Sequence, residues 1–160
     1  MEIQLLVIII IMIACSAFFS ASETALTGAN RIRLKSMAEN GSKGAKMALK
    51  LLDRYDKVIT TILIGNNIVN ITASSLGTIL ATAIVGPDNA ALVSTVVLTL
   101  VILAFGEVMP KSLAKDHSEG LTVATSGIIT FLTFIFTPLS ALFILLKKLA
   151  NKPSFLSSIN

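Results

Sequence analysis

Charge is scarce in this sequence. Only 14% of its 160 residues are Asp, Glu, Lys or Arg, against about 25% in an ordinary globular chain, and that excludes a soluble domain. Tryptophan is absent and tyrosine occurs once, so the aromatic belt that often anchors membrane proteins is thin. One cysteine, Cys15, allows no intrachain disulfide and sits in an apolar run, where it reads as a small packing residue. The one histidine, His117, stands among Lys115, Asp116 and Glu119 and reads as solvated, not as a ligand. No Ser/His/Asp set and no nucleotide loop is arranged for catalysis, so an enzyme is not expected.

What the sequence has is apolar length. Hydrophobic residues make up 54% and the mean hydropathy is +0.84. Four runs, 3–19, 58–85, 90–109 and 121–146, approach or exceed the roughly 20 residues that a spanning helix needs. The expected fold is therefore an all-α integral membrane protein in a lipid bilayer. The first run is preceded by Met1-Glu2 and carries no basic residue, which a secretory signal requires. It reads as an uncleaved helix.

The net charge of +4 is not a nucleic-acid footprint. Eight of the 13 basic residues (Arg31, Arg33, Lys35, Lys43, Lys46, Lys50, Arg54 and Lys57) fall between the first two apolar runs. Clustering of this kind reports topology and places the segment in the cytoplasm. Its apolar positions fit two short amphipathic helices separated by Asn40-Gly41-Ser42, lying on the inner membrane surface. The turn Gly86-Pro87-Asp88-Asn89 has no basic residue and is expected outside. The third helix then returns inward to Lys111 and Lys115. A fully spanning fourth run would carry Lys147, Lys148 and Lys152 outside, against the positive-inside rule, and Pro138 interrupts it. Three transmembrane helices are thus expected, with 121–146 a Pro-bent juxtamembrane or re-entrant segment. The amino terminus is expected to be extracellular and the carboxy terminus cytoplasmic. Residues 1–150 are read as a single transmembrane domain and 151–160 as a cytoplasmic tail.

Three polar patches interrupt the apolar runs. The first helix ends in Ser20-Ala21-Ser22-Glu23-Thr24. In the second, Asn66, Asn70 and Ser74 recur at i, i+4 and i+8, beside a ridge of Ala73, Gly77 and Ala81 suited to close helix contact. The third holds Gly106-Glu107-Val108-Met109-Pro110-Lys111. An ionisable residue in a membrane-length segment is costly and marks a functional candidate. Pro110 lacks the N–H that would bond the carbonyl of Gly106, so a helix continuing through it frees that oxygen. A carboxylate and a free carbonyl, both hard oxygen donors, point to a cation. The asparagine amides need partners either on neighbouring helices or on an ion. Measured from the nearest basic anchor, Ser20 lies ~16 Å, Glu23 ~12 Å, Asn66 ~14 Å, Asn70 ~20 Å and Glu107 ~12 Å into the membrane at 1.5 Å per residue. The three patches share one depth and read as a shared site.

These motifs, Phe18-Phe19-Ser20-Ala21-Ser22-Glu23-Thr24-Ala25, Ile64-Gly65-Asn66-Asn67-Ile68-Val69-Asn70 and Phe105-Gly106-Glu107-Val108-Met109-Pro110-Lys111-Ser112, occur in this order over nearly the whole chain. In them the sequence resembles the transmembrane domain of the CorC and cyclin M (CNNM) magnesium transporter family. The resemblance implies a homodimer with a juxtamembrane belt, in the plasma membrane. It also implies a largely dehydrated Mg²⁺ in an inward-facing cavity, exported against Na⁺ entry. The metal site it implies draws on Ser20, Ser22 and Glu23, on Gly65, Asn66 and Asn70, and on Gly106 and Glu107, with Pro110 as helix break. Members of that family continue into cytoplasmic nucleotide-binding CBS domains. A chain stopping at Asn160 is therefore expected to be an isolated membrane domain or a truncation. The rival expectation is a membrane-anchored regulator or scaffold whose polar cluster only joins helices.

Overall fold

The structure is a computed structural model and describes residues 2–150; the expected tail, 151–160, lies outside the described residues. Every regular element among them is helical. Helix α1 covers Glu2–Gly28, 27 residues and ~40 Å at the α-helical rise. It therefore outlasts a ~30 Å hydrocarbon core and carries the Ser20–Thr24 patch inside a continuous helix. Its amino-terminal half exposes Ile3, Leu6, Val7 and Ile10, as a lipid-facing helix does.

The two short helices form as the sequence predicts. Helix α2 (Arg31–Glu39) starts on Asn30, whose side chain accepts from the N–H groups of Ile32 and Arg33. Helix α3 (Lys43–Leu52) starts on Ser42, which accepts from Ala45 N–H. Both caps satisfy amide donors that the first helical turn leaves unpaired. Between them Gly41 takes φ 95°, a left-handed conformation costly for any side chain. Arg31 and Asp53 form an ion pair that holds the start of α2 to the end of α3.

Helix α4 (Tyr55–Val85) has 31 residues, again longer than the membrane core. Gly86 turns it at φ 83°, and Pro87 opens α5 (Pro87–Val101) at the position where a missing N–H costs nothing. The chain then widens into a π-helical segment, Ile102–Val108, before α6 (Met109–Asp116). The N–H of Met109 donates to the carbonyl of Ala104, five residues back. Pro110 sits directly below this segment. Unable to donate to Gly106, it removes one rung of the α-helical ladder just after the wider register ends. The helix continues, as the freed-carbonyl argument requires.

Helix α7 (Ser118–Ile135) and α8 (Thr137–Ala150) break at Phe136, with Pro138 in the first turn of α8. The interruption expected at Pro138 is present. The count of candidate spans differs from the three expected: among the described residues four helices, with α5 through α6 counted as one, meet the length and apolarity a crossing requires, and the additional one is α7. Pro138 lies beyond its end and so does not shorten the 18-residue apolar helix.

Below the lipid-facing halves the helices converge. Phe19 and Leu26 of α1, Leu51 of α3, Val58 and Ile62 of α4 and Ile129 of α7 form one buried cluster. Helix α7 runs along α3: a Cβ on Gly44 would stand 2.9 Å from the carbonyl of Val123, so the two backbones nearly touch. The Ala73–Gly77–Ala81 ridge is buried within the chain. There a Cβ on Gly77 would meet Leu98 of α5 at 2.1 Å, so the ridge joins α4 to α5.

Candidate functional site

The site is built where α1, α4 and the π-helical segment meet. Ser16 is wholly buried, and its hydroxyl reaches two acceptors on two other helices. It donates to Asn66 Oδ1 at 3.0 Å and lies 3.5 Å from the carbonyl oxygen of Gly106. One proton serves two oxygens, so Asn66 and Gly106 together present more acceptor capacity than Ser16 can fill. The approach depends on Gly106, since a Cβ there would stand 3.0 Å from Ser16 Oγ. One turn further along α1, Ser20 is wholly buried and its Oγ has no hydrogen-bond partner among the described residues. One turn after Asn66 along α4, Asn70 Oδ1 is also buried without a partner among the described residues. Leaving such a group unsatisfied costs about 1–3 kcal/mol, so these oxygens are primed to accept a ligand.

The other sequence-predicted residues take distinct places. Gly65 lies under the ring of Phe19, where a Cβ would stand 2.4 Å from Cζ, so in this structure it sets how closely α1 approaches α4. Ser22 is buried with its Oγ unpartnered. It follows Ser20 by two residues, about 200° around the helix, and so does not share Ser20's face. Glu23 ion-pairs with Lys111 of α6, Oε2 to Nζ 3.3 Å, its side chain 26% exposed. The pair borders a cavity of about 560 Å³ lined also by Thr24, Thr27, Lys115 and Ser118. Glu107 is half-buried and has neither an ion pair nor a hydrogen bond from its side chain among the described residues. Pro110 marks the junction of the π-helical segment with α6.

Two members of this arrangement are not in the predicted set. Ser16 hides inside the first apolar run, and the signal that finds it is its spacing, four residues before Ser20 and seven before Glu23, on one face of α1. Lys111 reads in the sequence only as a topological anchor. Its lysine nevertheless reaches the carboxylate of the first motif.

Chemically the assembly offers neutral oxygens with carboxylates at its edge. No three His, Cys, Asp or Glu side chains gather among the described residues, which is unlike a site for a soft transition metal. Hydroxyl, amide and carbonyl oxygens suit hard cations such as Mg²⁺, Ca²⁺ and Na⁺.

The sequence profile of the cyclin M transmembrane N-terminal domain matches residues 7–154. A UPF0053 protein of Haemophilus influenzae is 44% identical over 135 residues, covering 84% of this chain and 32% of its own length. The UPF0053 inner membrane protein YfjD of Escherichia coli is 44% identical over 124 residues, 78% of this chain and 29% of its own length. A Haemophilus influenzae protein named polyamine export protein is 26% identical over 143 residues, 82% of this chain and 33% of its own length. The chain thus spans about a third of these relatives. The helical architecture, the three motifs in order and the profile match agree: this is a multi-pass membrane chain, and it belongs to the cyclin M transmembrane N-terminal domain family.

Proposed function

We propose that the chain is the membrane unit of a secondary transporter that exports Mg²⁺ across the plasma membrane, driven by Na⁺ entry. The observation that carries this reading is the meeting of Ser16, Asn66 and Gly106 from three helices, flanked by the unpartnered oxygens of Ser20 and Asn70. Helix glue alone would satisfy its members, whereas here buried acceptors outnumber the donors that reach them. Mg²⁺ is proposed as cargo from the family resemblance, and the hard oxygen donors fit it. Na⁺ is proposed as the coupling ion from the same resemblance, and neutral oxygens can accept it. Ser20, Asn66, Asn70 and Gly106 are the proposed ligands, with Glu23 and Glu107 supplying charge and Ser22 and Gly65 holding the helices.

The proposed topology has three spans: α1, α4 and the helix from α5 through α6. Helix α7 is placed at the cytoplasmic surface because it lies along basic α3 and contributes Ile129 to the buried cluster there. The amino terminus is then extracellular and the carboxy terminus cytoplasmic. A homodimer and cytoplasmic CBS domains are proposed for the whole protein by family resemblance.

The name of the 26% identical relative raises an organic polycation as rival cargo, and a transport-inactive scaffold is the other alternative. One assay separates the three. In liposomes, Mg²⁺ flux that rises with an opposing Na⁺ gradient and is unaffected by spermidine supports the proposal. Flux abolished by micromolar spermidine favours the polycation, and no flux of either favours the scaffold.

A further inference from the structure

We propose that the groove between α4 and α5 is the outward leg of the cation path, a water-filled conduit of neutral oxygens for a hydrated divalent cation. This rests on the transport reading above. Asn66, Asn70, Ser74 and Thr78 recur every four residues along α4, so they form a polar stripe that climbs the helix while winding about 120° around it. Asn66 belongs to the Ser16 node. The next three line a groove of about 280 Å³, faced on α5 by Ser94, Thr95 and Thr99, with Leu98, Ile102 and Leu103 completing the wall. The stripe carries the polar surface ~18 Å outward from Asn66 to Thr78 at the helical rise.

Hydroxyls in membrane helices commonly bond their own backbone, and some here do. Thr78 donates to the carbonyl of Ser74 and Thr95 to that of Ala91. Such bonds use the proton and leave oxygen lone pairs free, and hydrocarbon has no donor or cation for them. Asn70 Oδ1, at the inner end of the groove, is buried and unpartnered. Segregation adds to the case. The opposite flank is lined by Ile13, Leu80, Ile84, Val93, Val97 and other apolar side chains, with Ser94 its one polar side chain, shared with the groove, so most of the polar residues are gathered on one side. No carboxylate lines the groove. Neutral oxygens bind a hydrated cation loosely, which transit requires and storage does not. At the end nearest the Gly86 turn, Thr78 and Ser94 join across the groove, Oγ1 to Oγ 3.0 Å, and this bond must part for an ion to leave.

The test places single cysteines at Ser74, Thr78 and Ile79 of the full chain in a Cys15→Ala background. Ile79 is exposed on α4 but does not line the groove. A membrane-impermeant cationic methanethiosulfonate is added to the outside of intact cells. Thiols react as thiolates and need water to ionise, so Ser74→Cys and Thr78→Cys should label at least about tenfold faster than Ile79→Cys. Labelled Thr78→Cys protein, purified into liposomes, should lose Mg²⁺ efflux. Labelling no faster than Ile79→Cys, labelling only from the cytoplasmic side, or undiminished efflux after labelling overturns the conduit alone. Absence of Mg²⁺ flux from the unlabelled parent overturns the transport reading, and the conduit falls with it.

Discussion

Lys111 Nζ stands 3.3 Å from Glu23 Oε2 and ties α6 to α1 beside the candidate site. An ammonium in that place is a tethered counter-ion: an arriving cation must compete with it for the carboxylate. Both side chains are partly exposed, 42% and 26%, so solvent and salt screen the pair and limit its worth to about 1 kcal/mol. Lys111→Gln should therefore tighten the half-saturating Mg²⁺ concentration by up to about fivefold at low ionic strength, and Lys111→Arg should leave it unchanged. Mg²⁺-induced thermal shift in detergent measures both. Weaker binding by Lys111→Gln would show instead that the lysine supports the site.

Gly65 and Phe19 make a second coupled pair. A methyl at position 65 would overlap the ring of Phe19, and Phe19 belongs to the buried cluster that joins four helices. Overpacking of this kind costs about 1–3 kcal/mol. Gly65→Ala should lower the melting temperature, and Phe19→Leu in the same chain should restore part of the loss by vacating the space. A double variant no more stable than Gly65→Ala alone would place the clash elsewhere.

The sequence makes the helical runs legible because apolar length and basic clustering are one-dimensional signals. The caps at Asn30 and Ser42 and the turn at Gly86 are local and equally readable. The site is legible as three motifs at one depth, but its partners are not. Ser16 looks like any serine in an apolar helix until α4 and the π-helical segment are packed against it. Lys111 reveals its carboxylate only once α6 lies beside α1. The π-helical register itself leaves no periodic trace; Pro110 predicts a freed carbonyl but not that the ladder widens from Ile102, eight residues earlier. Helix α7 is the reverse case. Its composition allows a crossing, and it is the lysines that follow it in the sequence and its packing along α3 that argue for the surface.

That last point is open to measurement. If α7 crosses the bilayer from a cytoplasmic Ser118, the break at Phe136 emerges outside; if it lies at the surface, Phe136 stays on the cytoplasmic side. Single cysteines at Asp88 and Phe136, again with Cys15→Ala, should respond oppositely to an impermeant thiol reagent added outside. Asp88→Cys should label and Phe136→Cys should label only after permeabilisation. External labelling at position 136 would establish four spans.

Ser16 and Pro110 act on one oxygen, the carbonyl of Gly106, from opposite sides. Ser16 approaches it with a proton, and Pro110 withholds the backbone proton that an α-helix would supply. Pro110→Ala restores that N–H. The π-helical segment should then relax toward an α-helix, stabilising the fold by up to about 3 kcal/mol, while the Gly106 oxygen turns into the helix and Mg²⁺ binding weakens. Ser16→Ala removes the proton from the other side. It leaves Asn66 Oδ1 without a donor and should cost about 1–3 kcal/mol without Mg²⁺. Bound cation replaces the missing proton as partner of both oxygens, so Mg²⁺ should recover more melting temperature in Ser16→Ala than in the parent. Pro110→Ala should be hotter-melting and less responsive to Mg²⁺. Glu107→Gln, which keeps shape but removes charge, should melt like the parent without Mg²⁺ and lose most of the Mg²⁺ shift. A scaffold of interhelical bonds gives a different pattern: all four proteins would show the same response to Mg²⁺, and only their baseline stabilities would differ.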